Sequence, residues 1–309
     1  MTNTPAIQIM DLHKRYGNGF DALKGINLTV NPGDFYALLG PNGAGKSTTI
    51  GMLTSLVTIT SGEILINGFA FKQNLSKAKA LMGVVPQEIN VNSFEKCEQI
   101  LLQQAMYYGV SIKKAKPRVE ALLKQLELWE KRNTPAGKLS GGMKRRLMIA
   151  RALVHDPKIL ILDEPTAGVD VEIRQSMWHF LQDLNQKGLT IVLTTHYLEE
   201  AESLCNRIGI INHGKLVIET TMRQLLSQLE RETLLFDLAK SRNTAPTLKG
   251  FPTRLRSADV LEVDIQRGQE LNCVFRQLND KNIDVLSVRN KANRLEQLFM
   301  ELVRHGEQA

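Results

Sequence analysis

The stretch Gly40-Pro41-Asn42-Gly43-Ala44-Gly45-Lys46-Ser47-Thr48 constrains what this chain can fold into more than any other. A G-x-x-x-x-G-K-[ST] spacing builds an anion cradle only where a strand feeds the loop and a helix leaves it. The glycines let the backbone turn so that successive N–H groups point into one concavity. Lys46 can reach the outer phosphates of a nucleotide, and the Ser47 hydroxyl can ligate Mg²⁺. A helix expected over Ser47–Val57 adds the positive end of its dipole. Phe35–Leu39 reads as the buried strand before the loop, entered through the turn Asn31-Pro32-Gly33-Asp34. A plain glycine-rich turn would explain the glycines but not Lys46-Ser47 at this spacing.

The first 220 residues or so alternate between strand and helix patterns. Ile7 and Ile9 begin one strand, and Ile26, Leu28 and Val30 alternate along another. Ile64-Leu65-Ile66 before Asn67-Gly68 predicts a strand ending in a tight turn. Val84-Val85 leads to Pro86-Gln87, and a mainly helical region is expected from about Glu95 to Leu153. Ile159–Leu162 and Thr190–Leu193 are short continuous apolar runs, as in parallel strands covered on both faces. A second unit is expected from near Thr221: a helix over Met222–Leu229, a strand at Leu234–Leu238, a polar stretch over Ser241–Gly250, a strand at Leu261–Ile265, a helix at Leu271–Leu278, a strand at Val285–Val288 and a helix at Arg294–Val303. That is a small α+β appendage without a catalytic constellation, and Arg289 in it reads as an ordinary solvated arginine.

Later segments narrow the chemistry. Ile159-Leu160-Ile161-Leu162-Asp163-Glu164 is an apolar strand ending in two carboxylates. Asp163 suits a Mg²⁺ contact, and Glu164 can orient or deprotonate a water attacking a terminal phosphate. Leu139-Ser140-Gly141-Gly142-Met143 opens a helix of good formers running through Leu153, again offering N–H groups and a hydroxyl to a phosphate. Lys144, Arg145 and Arg146 fall in that helix's first turn, where its dipole disfavours cations. Anions from a nucleotide or a partner are expected to offset them.

Together these segments resemble the nucleotide-binding subunits of ATP-binding-cassette (ABC) transporters over essentially all of residues 5 to 220. Gly40 to Thr48 looks like the family's Walker A loop, and Gln87 like its Q-loop glutamine. Leu139 to Met143 resembles the signature, Ile159 to Glu164 the Walker B strand, Ala167-Gly168-Val169-Asp170 the D-loop, and His196 after Leu193-Thr194-Thr195 the switch histidine. Tyr16 stands where the family places an aromatic that stacks on adenine. The resemblance implies ATP contacts from Tyr16, Gly40, Pro41, Asn42, Gly43, Ala44, Gly45, Lys46, Ser47 and Thr48. From a second copy it implies contacts through Ser140, Gly141, Gly142 and Asp170. It also implies Mg²⁺ at Ser47, Gln87 and Asp163, and catalysis by Glu164, His196 and Gln87. The expected fold is α/β: a P-loop NTPase (RecA-like) core with an antiparallel β subdomain and a helical signature subdomain at about 88–153. This cassette would span 5–222, with an α+β domain over 223–309.

Met143 departs from the commoner signature, which ends in glutamine. The variant Leu-Ser-Gly-Gly-Met-Lys-Arg-Arg looks like single-cassette subunits paired with type-two (ABC-2) export permeases. The implied partners are such an integral-membrane permease and a second copy of the chain, with two ATP molecules sandwiched between cassettes. Gln87 and the segment Glu88 to Tyr108 are expected to carry motion to the permease. No apolar run approaches the roughly 20 residues that span a bilayer. Met1–Ile9 lacks a secretory pattern. Cys97, Cys205 and Cys273 are too scattered for a disulfide framework or zinc site. A soluble, cytosolic protein, peripheral on the inner face of the membrane, is therefore expected. The net charge of +7 is spread over 309 residues, so a solvated surface is preferred to nucleic-acid binding. A cassette ATPase acting on ribosomes or nucleic acid is the competing reading; such proteins usually carry two cassettes, a long coiled-coil insertion or zinc modules. An ATP sensor without hydrolysis is a third, disfavoured by the intact Glu164 and His196.

Overall fold

Apolar runs too short for helices become the strands of the core. The computed structural model describes residues 4–227, 231–266, 268–291 and 294–305. In chain order the first unit contains β1 (Ile7–Arg15), β2 (Asp21–Val30), β3 (Phe35–Leu39), α1 (Lys46–Leu53), β4 (Ser61–Ile66), β5 (Phe69–Ala70), α2 (Leu75–Ala80) and β6 (Met82–Val85). It continues with α3 (Cys97–Tyr107), α4 (Ile112–Gln125), α5 (Gly141–Leu153), β7 (Ile159–Asp163), α6 (Val171–Gln186), β8 (Thr190–Thr194), α7 (Leu198–Leu204), β9 (Arg207–Asn212) and β10 (Lys215–Thr221). Contacts divide the chain after Thr221, and the second unit runs from Met222.

Two sheets organise the first unit. The larger has the order β10-β9-β3-β8-β7-β6, parallel throughout except where β10 returns along β9. Every residue of β3 and β8 is buried, as are Ile159 to Leu162 of β7, which is why these strands read as unbroken apolar runs. The smaller sheet, β2-β1-β4-β5, is antiparallel. Asn67 (φ 50°) and Gly68 (φ 80°) form the two-residue turn joining β4 to β5, the left-handed geometry that suits hairpin twist. Ile7, Ile9, Ile26 and Leu28 of the antiparallel sheet share one core with Met52 of α1 and Ile161 and Val192 of the parallel sheet. Burial on both sides of α1 thus locks the helix that follows the glycine loop. Helices α3, α4 and α5, inserted between β6 and β7, pack on one another, and α5 also packs against β6.

Helix α1 begins one residue earlier and ends sooner than the expected Ser47–Val57. It stops at Leu53 because Ser55 turns left-handed (φ 61°) and the N–H groups of Leu56 and Val57 both return to the Gly51 carbonyl.

The second unit contains α8 (Met222–Leu226), β11 (Arg231–Leu238), β12 (Thr253–Ser257), β13 (Val260–Gln266), α9 (Leu271–Asp280), β14 (Val285–Asn290) and α10 (Arg294–His305). Its antiparallel sheet has the order β12-β13-β11-β14. Helix α8 ends at Leu226, short of the expected Leu229; the last two residues of that expectation lie outside the described residues. Strand β12 was not expected, since Leu255 is its only aliphatic residue and Arg254 and Arg256 flank it. Leu234, Phe236, Leu261 and Val263 form a core with Val274 and Leu278 of α9, and Phe236 meets the Phe275 ring edge-on at 5.6 Å. Buried Glu262 accepts from Arg254 (3.0 Å) and Lys291 (2.8 Å), while Asp264 accepts from the Thr233 hydroxyl (2.7 Å). Exposed Arg289 pairs with Asp237 at 3.3 Å.

Phe236 is fully buried. Phe236→Ala should therefore destabilise the C-terminal unit by about 3–5 kcal/mol, through lost transfer energy and the cavity left behind. Amide exchange of β11 and β13 in the full-length chain measures this, and unchanged protection would contradict the assigned core.

Candidate functional site

All the parallel strands end on the same edge of their sheet, and the site is built there. Strand β3 delivers the loop Gly40–Gly45, which packs so closely that a Cβ on Gly40 would lie 2.2 Å from the Ile211 carbonyl oxygen. Gly45 has φ 114°, and a Cβ there would come within 2.7 Å of Leu23 Cδ2. Only glycine fits that position, and it caps α1 without a side chain, so the helix's first-turn N–H groups face an incoming anion. Lys46 is 8% exposed, with its ammonium folded into the loop, donating to Gly40 O (2.6 Å) and Pro41 O (3.0 Å). Burial lowers its pKa, and the nearby carboxylates of Glu164 and Asp163 act in the opposite sense.

Three neighbouring strand ends converge on one carboxylate. The Gln87 amide, beyond β6, donates to Glu164 Oε2 at 2.9 Å. His196, beyond β8, places Nδ1 3.2 Å from the same oxygen. Glu164 itself is left-handed (φ 49°), its N–H tied to the Thr194 carbonyl at 2.9 Å and its carbonyl accepting from Ala167 at 3.3 Å. Asp163, paired with Thr194 in the sheet, accepts from the Thr194 hydroxyl through one carboxylate oxygen. Gln87, Asp163, Glu164, His196 and the Lys46 loop thus form one cluster.

Other candidates stand apart from it. Ser140 caps α5, its hydroxyl accepting from Met143 N at 3.3 Å. Gly141 is exposed with open space about it, and a Cβ on Gly142 would lie 2.7 Å from Ile173 Cδ1. Among the described residues, no hydrogen bond joins the Ser140 turn to the loop or to the Glu164 cluster. Asp170 sits at the start of α6. Tyr16 is 38% exposed, with the Lys14 ammonium 4.9 Å from its ring centre and anchored on Thr58 O at 2.8 Å. Lys14 thereby supports one face of the ring.

The Lys144-Arg145-Arg146 run is corrected by the structure: the groups meeting two of its cations belong to the chain itself. Arg145 donates to Pro86 O (2.9 Å) and Gln87 O (2.8 Å). Arg146 bonds Ser176 at 2.8 Å and pairs with Glu127. Sequence reading also missed Glu200, one of two acids opening α7 with nothing to single it out. It is fully buried, accepting from Thr166 (2.9 Å) and Trp178 (3.0 Å). It thus ties the segment after Glu164 to the helix after His196. Burial raises its pKa.

Residues 23–167 match the family model described as ABC transporter. The chain is 36% identical over 309 residues to the linearmycin resistance ATP-binding protein of Bacillus subtilis (strain 168), covering 96% of this chain and 97% of that one. It is 41% identical over 220 residues to the Nod factor export ATP-binding protein I of Burkholderia orbicola (strain AU 1054), covering 71% and 72% of the two chains. Among solved structures, it resembles an ATP-binding subunit of an ABC transporter with a TM-score of 0.67 and 29% identity, over 72% of this chain and 92% of that one. A dimeric cassette in a post-hydrolysis state bound to ADP and Pi matches with a TM-score of 0.64 and 27% identity, over 70% and 99%.

A raised carboxyl pKa adds stability at low pH that is lost as pH climbs from the ordinary glutamate range through the folded-state value. Glu200→Gln keeps an acceptor for Thr166 and Trp178 but cannot ionise. The wild type should accordingly lose stability relative to Glu200→Gln as pH rises above that range, as read from melting temperatures at stepped pH. Parallel curves would contradict the assignment.

Proposed function

Because the chain belongs to the ABC transporter family of ATP-binding, ATP-hydrolysing cassettes, we propose that it powers export through a separate integral-membrane permease of the ABC-2 type. It works as a homodimer of cassettes on the cytoplasmic face of the membrane. Among the described residues no helix is long and apolar enough to cross a membrane. The export reading is supported by the similarity to a Nod factor export protein and by the Met143 signature variant.

The observation that carries the mechanism is the meeting of Gln87 and His196 on Glu164 Oε2. Held from two sides, this carboxylate can orient the attacking water and take its proton. With Nδ1 turned to Glu164, the His196 ring presents its other nitrogen to the terminal phosphate, stabilising charge as it develops. Lys46 would exchange its loop carbonyls for phosphate oxygens, and the open N–H groups of the loop and α1 would hold the rest of the chain of phosphates. Tyr16, backed by Lys14, offers its free face to adenine. The exposed Ser47 hydroxyl, the remaining Asp163 oxygen and the Gln87 amide oxygen form an all-oxygen set suited to Mg²⁺. When bound there, the ion would neutralise charge on the phosphates.

Ser140, Gly141 and Gly142 are read as contacting the nucleotide of a second copy, with Asp170 lining the same junction. Nucleotide then binds the closed dimer far better than the open one, and its cleavage returns the equilibrium to the open form.

Glu164→Gln should lower ATP turnover by about 10²–10⁴-fold while retaining nucleotide and accumulating a dimer. Turnover with light scattering in Mg-ATP, with and without the permease, reads both; wild-type turnover or a persistent monomer would refute the mechanism. Lys46→Ala should instead lose affinity itself, with titration of a fluorescent ATP analogue showing at least a tenfold weaker Kd, or ~1.4 kcal/mol.

A further inference from the structure

Arg145 is the fifth residue of α5, just past the first turn in which the sequence pattern places it, yet its side chain reaches another part of the protein. It is 4% exposed. One terminal nitrogen donates to Pro86 O at 2.9 Å and the other to Gln87 O at 2.8 Å, so the guanidinium fork spans two successive carbonyls just past β6. Its Nε is buried without a hydrogen-bond partner. Burying a guanidinium costs free energy, and the main chain it grips belongs to the residue whose side chain holds Glu164. Burial lowers its pKa, and the carboxylates of Glu164 and Asp163 act in the opposite sense from nearby. A lysine has one compact ammonium and cannot reproduce a planar two-carbonyl grip.

We propose that Arg145 is a positioning residue: it sets the main chain of Gln87 so that the amide meets Glu164, and it rigidly links that placement to the orientation of the Ser140 turn. This rests on the reading of Ser140 as a contact to a second copy's nucleotide. On that reading, one face of α5 presents Ser140 to the partner's phosphates while Arg145 grips the glutamine serving the chain's own nucleotide. A shift of α5 on docking therefore moves Gln87 with it, and each composite site senses whether the other has closed. Arg146 has no such part, since its partners are Glu127, Ser176 and the Leu126 carbonyl, away from the Glu164 cluster.

The test is a double-mutant cycle on the full-length chain, with ATPase rates measured for the wild type, Arg145→Lys, Gln87→Ala and the combination. Arg145→Lys should lower kcat about tenfold or more, with KM for ATP nearly unchanged and ATP cooperativity reduced toward a Hill coefficient of unity. Because Arg145 acts through Gln87, adding Arg145→Lys to Gln87→Ala should lower kcat by no more than about twofold beyond Gln87→Ala alone. Fully additive losses, or wild-type kcat in Arg145→Lys, overturn the proposal. Should Arg145→Lys lose its melting transition, Arg145→Gln takes its place in the cycle. Failure of both to fold assigns Arg145 to the scaffold and likewise overturns it. Wild-type turnover in Gln87→Ala would instead overturn the reading of the site itself.

Discussion

The register of three parallel strands is the constraint on which the rest depends. Val85 lies beside Leu162, and Leu162 beside Leu193, so β6, β7 and β8 finish level with one another. The residues that follow are then brought into one neighbourhood: Pro86-Gln87, Asp163-Glu164 and Thr194-Thr195, with His196 next along the chain. A slip of one residue in any pairing would exchange the side chains packed on the two covered faces and move the polar ends out of line with one another. Hydrophobic burial of the strands therefore positions the carboxylate as well as holding the sheet. The left-handed turn at Glu164 completes the arrangement, because the chain leaves β7 there and still returns its N–H to the Thr194 carbonyl.

How much of this was legible varied with the range of the interaction. Strands β3, β7 and β8 could be read because burial on both faces demands unbroken apolar residues, and the glycine loop because few arrangements other than a phosphate cradle need Lys46-Ser47 at that spacing. The Asn67-Gly68 turn announced itself by backbone geometry. The end of α1 did not, since Ile50, Leu53, Leu56 and Val57 keep an apolar pattern past the point where Ser55 turns left-handed. Strand β12 was invisible because an edge strand with arginines on both sides of Leu255 carries no apolar signature. Candidate residues could be named singly, but the bond from Gln87 to Glu164 closes a separation of 77 residues that no local pattern encodes.

Charge was the least legible property. Lys144, Arg145 and Arg146 look equivalent in sequence, yet Arg145 and Arg146 are directed to different carbonyls and hydroxyls of the chain's own interior. Glu199 and Glu200 are neighbours, but Glu200 alone is sealed between Thr166 and Trp178. In both cases the helix phase, which the sequence pattern shows, decides which side chain turns inward. What waits there is decided by a distant segment.

The ammonium of Lys46 rests on Gly40 O and Pro41 O, so the loop is bridged internally by its own side chain. That cross-brace makes the curvature of the loop and the seat of its ammonium two aspects of a single set of bonds.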